Sequence, residues 1–99
     1  MNIAHIEAPC DVVWKVCAHK GETSSASFNR DGDIVYTGGS DGVVKGWRSK
    51  DGKELGTMGS PGKAVTDLSI SLDNEYVLAS LIDQNKLVLY RTKTNTKMM

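Results

Sequence analysis

Short apolar segments alternate with polar turns along most of the chain, and they do not recur with the period of a helix. The clearest example is DIVYTGGSDGVVKGWR, residues 33–48. Here two apolar segments, Ile34–Tyr36 and Val43–Val44, flank a glycine-rich turn at residues 38–42. Glycine and aspartate tolerate the backbone angles of a tight hairpin. The pattern therefore predicts two antiparallel strands, Asp33–Thr37 and Val43–Trp47.

The same pattern predicts further strands in the first half of the chain. They cover Val12–Cys17, Ser24–Phe28 and Lys53–Met58. Residues 1–11 contain Pro9 and show little periodicity, so we expect them to form a lead-in. Because no window has a convincing helical period, the expected fold is all-β.

The second half of the chain repeats the first with a shift of 42 residues, which becomes 43 after one inserted residue near Gln84. The matching positions are Asp31 and Asp73, Ile34–Tyr36 and Tyr76–Leu78, Asp41 and Asp83, and Trp47 and Tyr90. A repeat of about 40–45 residues with four short strands is typical of a β-propeller blade. We therefore expect two four-stranded antiparallel blades, the first over about residues 18–58 and the second over about residues 59–99.

Over residues 12–92 the chain resembles the WD-repeat (β-transducin-like) propeller family. The family's Gly-His and Trp-Asp dipeptides correspond here to Ala18-His19 and Trp47-Arg48. The resemblance implies that the first repeat carries the family's hydrogen-bonded tetrad, whose members are His19, Thr37, Asp41 and Trp47. An aspartate removed from water needs donors, and a histidine, a hydroxyl and an indole N–H can supply a chain of them.

The second repeat departs from this pattern. It keeps Asp83, but Pro61, Ala79 and Tyr90 replace the histidine, the hydroxyl residue and the tryptophan. We expect no tetrad there.

Two blades are too few to close a propeller, which uses about 4–8 blades. Two blades alone also leave two outer faces exposed, which soluble monomers rarely tolerate. The chain is therefore expected either to be part of a longer propeller or to complete a ring with further copies of itself. We expect Val12–Cys17 to be the outer strand of a neighbouring blade. In an assembly of three or four copies, it can add to the Lys86–Tyr90 strand of the next copy.

A catalytic interpretation of the same residues is weaker than the structural one. Thr37, His19 and Asp41 superficially offer a nucleophile, a base and an orienting carboxylate, but the tetrad also explains Trp47. The glycine-rich turn lacks the lysine and the following helix of a phosphate-binding loop. We expect no enzymatic activity and no cofactor.

Composition narrows the class of protein further. The 99 residues include 12 basic and 12 acidic side chains, so no net charge points to nucleic acid or to a membrane surface. No apolar run approaches the roughly 18 residues of a spanning helix. Cys10, Cys17 and His19 match no familiar zinc spacing, and two cysteines form no disulfide framework. We expect no metal and a cytoplasmic or nuclear protein.

The expected function is that of a non-catalytic scaffold for protein–protein interactions, as a subunit or fragment of a larger assembly. Its partners would be other proteins, further copies of the chain, or the missing blades of the same propeller. The resemblance implies partner contacts in the loops at one end of the blades: Lys20, Glu22, Thr23, Ser40, Gly42, Lys63, Ala64, Ile82 and Gln84.

The alternative function is an RNA- or DNA-associated subunit of a ribonucleoprotein complex. It would use a basic blade edge made of Lys45, Arg48, Lys50 and Lys53, which is echoed by Arg91, Lys93 and Lys97. A solvated edge is the more common reason for such a cluster.

Overall fold

The computed structural model describes residues 11–59, 63–81 and 86–92, and these ranges contain seven strands and no helix. The strands are β1 (Thr23–Phe28), β2 (Ile34–Gly39), β3 (Val44–Arg48), β4 (Glu54–Met58), β5 (Val65–Ile70), β6 (Tyr76–Leu81) and β7 (Lys86–Arg91). They form two antiparallel sheets in sequence order, β1-β2-β3-β4 and β5-β6-β7, termed blade 1 and blade 2 below. The expected all-β fold is confirmed, and the predicted strands of blade 1 agree with β1–β4 to within two residues.

Two expected strands are absent from the described residues. Residues 11–18 have no regular secondary structure within the single chain, so the outer strand expected at Val12–Cys17 stays a prediction. An extended segment forms a ladder only beside a partner strand, and its expected partner belongs to another blade. Blade 2 has three strands within the described residues, and residues 93–99, which would follow β7, lie outside them.

Trp14 attaches the segment before β1 to blade 1. Its indole Nε1–H donates a 2.7 Å hydrogen bond to the backbone oxygen of Ser49. The ring also covers Gly52, where an added Cβ would lie 2.7 Å from the indole. The indole therefore packs on the turn between β3 and β4.

The strand registers reproduce the internal repeat seen in the sequence. The equivalent cross-strand pairs are Ser27–Tyr36 and Ser69–Leu78, Val35–Trp47 and Val77–Tyr90, and Thr37–Lys45 and Ala79–Val88. The shift is 42 residues on β6 (from 37 to 79) and 43 residues on β7 (from 45 to 88). The two halves are thus the same structural unit.

The turns also repeat in detail. Gly32 and Asn74 close equivalent turns and both have positive φ, 76° and 63° respectively. The hydroxyls of Ser49 and Thr92 each donate a 2.6 Å hydrogen bond to the backbone oxygen of that turn residue. Asparagine tolerates the left-handed conformation better than most residues, which explains how it replaces glycine in the second repeat.

The main core lies between the blades, where β5 packs against β1 and β2. Its buried side chains are Tyr36, Val44, Met58, Val65, Leu68, Val77 and Ala79. Fully burying an apolar side chain of the size of valine stabilises a fold by about 1.5–3 kcal/mol. The cluster therefore holds the two sheets face to face.

Gly38 sets how closely the blades approach. A Cβ at this position would lie 2.5 Å from Cγ1 of Val65, a separation that real contacts do not allow. At the edge of the same interface, the amide side chain of Asn74 accepts from the backbone N–H of Arg30 and donates to the carboxylate of Asp31, both at 2.9 Å. Apolar packing and this polar clamp together fix the angle between the sheets.

We predict that Gly38→Ala lowers the free energy of unfolding by about 1–3 kcal/mol, the usual cost of overpacking a core. Urea denaturation measures this change. The matched control is Ser80→Ala, because Ser80 occupies the equivalent position on β6 and already carries a Cβ. An unchanged stability for Gly38→Ala would contradict the described contact with Val65.

Candidate functional site

Four polar or aromatic side chains converge at the end of blade 1 where the chain enters β1. His19 lies in the loop before β1, Thr37 lies in β2, Asp41 in the β2–β3 turn and Trp47 in β3. Gly39 makes room for the imidazole, since a Cβ there would lie 2.4 Å from Cγ of His19. The hairpin thus provides a flat surface on which the histidine ring rests.

The four side chains form one continuous chain of hydrogen bonds. His19 Nδ1 lies 3.0 Å and 3.2 Å from the two carboxylate oxygens of Asp41. His19 Nε2 lies 2.8 Å from Oγ1 of Thr37, and Trp47 Nε1–H donates to the same hydroxyl at 2.9 Å. The imidazole is fully buried, and the Asp41 side chain is 17% exposed. Water therefore contributes little to satisfying these groups.

The donor and acceptor groups of the four side chains fix the direction of each hydrogen bond between them. The Trp47 indole can only donate, so the Thr37 hydroxyl accepts from it and its own hydrogen is free to point at His19. Nε2 of His19 then accepts, and Nδ1 carries the proton that is donated to Asp41. A neutral imidazole with its proton on Nδ1 gives each of the four side chains a suitable hydrogen-bond partner. This tautomer of His19 is assigned from the hydrogen-bond network.

Backbone groups also bind Asp41. The N–H groups of Lys20 and Val43 each donate to its carboxylate at 3.3 Å. Burial alone would raise the pKa of Asp41, but the hydrogen bond from Val43, the electrostatic attraction of His19 and the hydrogen bonds from Lys20 and His19 together lower it below its usual value. The carboxylate is therefore ionised in the folded protein at neutral pH.

Blade 2 contains no equivalent network among its described residues. Ala79, which is fully buried, stands in place of Thr37 and offers no hydroxyl. Tyr90 stands in place of Trp47, and its hydroxyl oxygen lies 2.6 Å from where a Cβ on Gly59 would be. Burial raises the pKa of Tyr90. Asp83 lies outside the described residues.

The network is suited to holding structure in place. Thr37 is 7% exposed, and its hydroxyl is already bonded to both His19 and Trp47, so it has no open path to a substrate. Among the described residues, every buried side-chain nitrogen and oxygen has a hydrogen-bond partner. In the same ranges, no three histidine, cysteine or acidic side chains gather where a metal ion could bind, and no helix could cross a membrane.

The candidate partner residues of blade 1 lie together at the tetrad end. The backbone N–H of Glu22 donates to the Ser40 hydroxyl at 3.0 Å, and the N–H of Ser40 donates to the Glu22 oxygen at 2.8 Å. Lys20 and Thr23 are exposed beside them. Gly42 is buried, so it shapes the turn and does not present a surface.

The candidates of blade 2 are less completely described. Lys63 is exposed and Ala64 is half-buried, just before β5 begins. Ile82 and Gln84 lie outside the described residues. The described part of the candidate surface therefore runs from the β2–β3 turn of blade 1 to the start of β5.

Two cations of the basic edge, Arg48 and Lys45, have partners within the chain. Arg48 donates two hydrogen bonds to Asp51, at 2.9 Å and 2.7 Å, and the hydrogen bond from Arg48 lowers the pKa of Asp51 to about 2. The ammonium of Lys45 lies 5.8 Å from the centre of the Trp47 ring. These contacts partly neutralise the edge that the nucleic-acid alternative would use.

Sequence reasoning missed the role of Asn29. Its side chain is buried, its Oδ1 accepts from the N–H groups of Asp33 and Ile34, and its Nδ2 donates to Asp33 at 2.7 Å. The available signal was an asparagine that opens a turn before a strand, where such side chains bond to the backbone that follows. This residue fixes the entry of the chain into β2.

We predict that Asp41→Ala lowers the free energy of unfolding by about 2–3 kcal/mol, because it leaves the buried imidazole and two backbone donors without their acceptor. Thermal and urea denaturation measure the loss. Replacing the exposed Asp11 by alanine removes the same charge outside the network and serves as the control. Equal stabilities for the two variants would contradict the role assigned to Asp41.

The lowered pKa of Asp41 also predicts a pH dependence. A carboxyl whose pKa is lower in the folded than in the unfolded state stabilises the fold above its unfolded pKa, about 3.9. This contribution is lost as the pH falls through the folded-state value. The stability difference between the natural chain and Asp41→Asn should therefore be largest at neutral pH and shrink below about pH 4. If urea denaturation gives the same difference in free energy of unfolding at neutral and at acidic pH, the lowered pKa of Asp41 is contradicted.

Comparisons with known proteins agree with this geometry. The chain is 33% identical over 67 residues to eukaryotic translation initiation factor 3 subunit I of Xenopus tropicalis, covering 68% of this chain and 21% of the relative. It is 32% identical over 76 residues to the protein of the same name from Aspergillus niger, covering 77% of this chain and 22% of that relative. The chain therefore spans about a fifth of the length of these curated relatives.

A solved structure and a family model point the same way. The β-propeller domain of Cps50 (Swd1) from Myceliophteria thermophila matches with a TM-score of 0.68 and 27% identity, over 76% of this chain and 24% of that one. The model of the WD domain, G-beta repeat, matches residues 10–48, which include all four members of the hydrogen-bonded chain. Together with the repeated blade architecture, these matches show that the chain belongs to the WD-repeat family of β-propeller proteins.

Proposed function

We propose that the chain is a non-catalytic scaffold that contributes two WD-type blades to a larger assembly and presents loops to a protein partner. The single observation that carries this proposal is the hydrogen-bonded chain from Asp41 to Trp47. Its donors and acceptors bond to one another and immobilise the loop before β1 and the β2–β3 turn. Two relatives are named as subunits of a translation initiation factor, which supports membership of a complex.

Rigid loops favour binding because little conformational entropy is lost when a partner docks. The reciprocal bonds between Glu22 and Ser40 join the entrance loop to the turn, and Asp41 joins Lys20 to the same turn. The exposed side chains of this end therefore stand on a fixed backbone. This loop surface, defined by Lys20, Glu22, Thr23, Ser40, Lys63 and Ala64, is the proposed partner contact; Ile82 and Gln84 remain candidates in the adjoining segment.

The charge of the loop surface suits a protein partner better than a phosphate backbone. Lys20 and Glu22 stand two residues apart with opposite charge, so the surface offers no continuous positive potential.

We propose a cytoplasmic or nuclear location, since the exposed free thiol of Cys17 suits a reducing compartment.

The test is a quantitative affinity purification from eukaryotic cells that compares three tagged chains. We expect the natural chain to enrich a defined set of proteins. A charge reversal of the loop surface, Lys20→Glu with Glu22→Lys, should lose most of that set without changing the melting temperature. The control reversal Lys53→Glu, in the β3–β4 turn, should retain it.

Nuclease treatment and a salt series separate the two candidate functions. Enrichment by protein contacts should survive nuclease and weaken little with salt. In contrast, the affinity for a nucleic acid bound through its phosphates falls steeply as the salt concentration rises. Enrichment that nuclease abolishes, or that the loop-surface reversal leaves unchanged, would contradict the proposal.

A further inference from the structure

We draw no further inference here: the strongest candidate, the cleft of about 300 Å³ beside the start of β4 that is lined by Asp33, Ile34, Arg48, Ser49, Lys50 and Leu55, adjoins the core between the two blades at Ile34 and carries charges of both signs, and nothing in the structure shows what covers it.

Discussion

The hydrogen-bonded chain from Asp41 through His19 and Thr37 to Trp47 connects parts of blade 1 that backbone ladders do not join. It ties the loop before β1 to the hairpin of β2 and β3, and it crosses a region from which water is largely excluded. Buried polar groups of this kind are stable only when every member has a partner. The position of the loop surface follows from that requirement.

Apolar packing performs the second task, that of holding one blade on another. The contact needs a close approach at Gly38, a β-branched side chain at Val65 and a polar clamp at Asn74. On the outer face of blade 2, Ser80 stands at the position equivalent to Gly38, so this close approach is not repeated there. The hydrogen-bonded network orders one end of blade 1, and apolar packing holds blade 2 against it.

The repeat of 42 residues made most of the fold predictable, because turns, strands and the terminal aromatic residue recur in the same order. The four members of the hydrogen-bonded chain were predictable only through the family resemblance, since His19 and Asp41 are 22 residues apart and meet through the fold. The strand expected at Val12–Cys17 stays a prediction, because an outer strand forms only beside its partner sheet and that sheet belongs to another blade. Asn29 was missed because its importance lies in bonds to the backbone within a turn, which no repeat or hydrophobic pattern indicates.

The central claim is that the four side chains act as one connected network. A double-mutant cycle between its two ends, Asp41→Asn and Trp47→Phe, tests this most directly, because these residues are linked through His19 and Thr37. If the four side chains form one network, the two changes in the free energy of unfolding are non-additive by more than about 0.5 kcal/mol in urea denaturation. Additivity within that margin would show that the two ends are independent and that the four side chains do not act together.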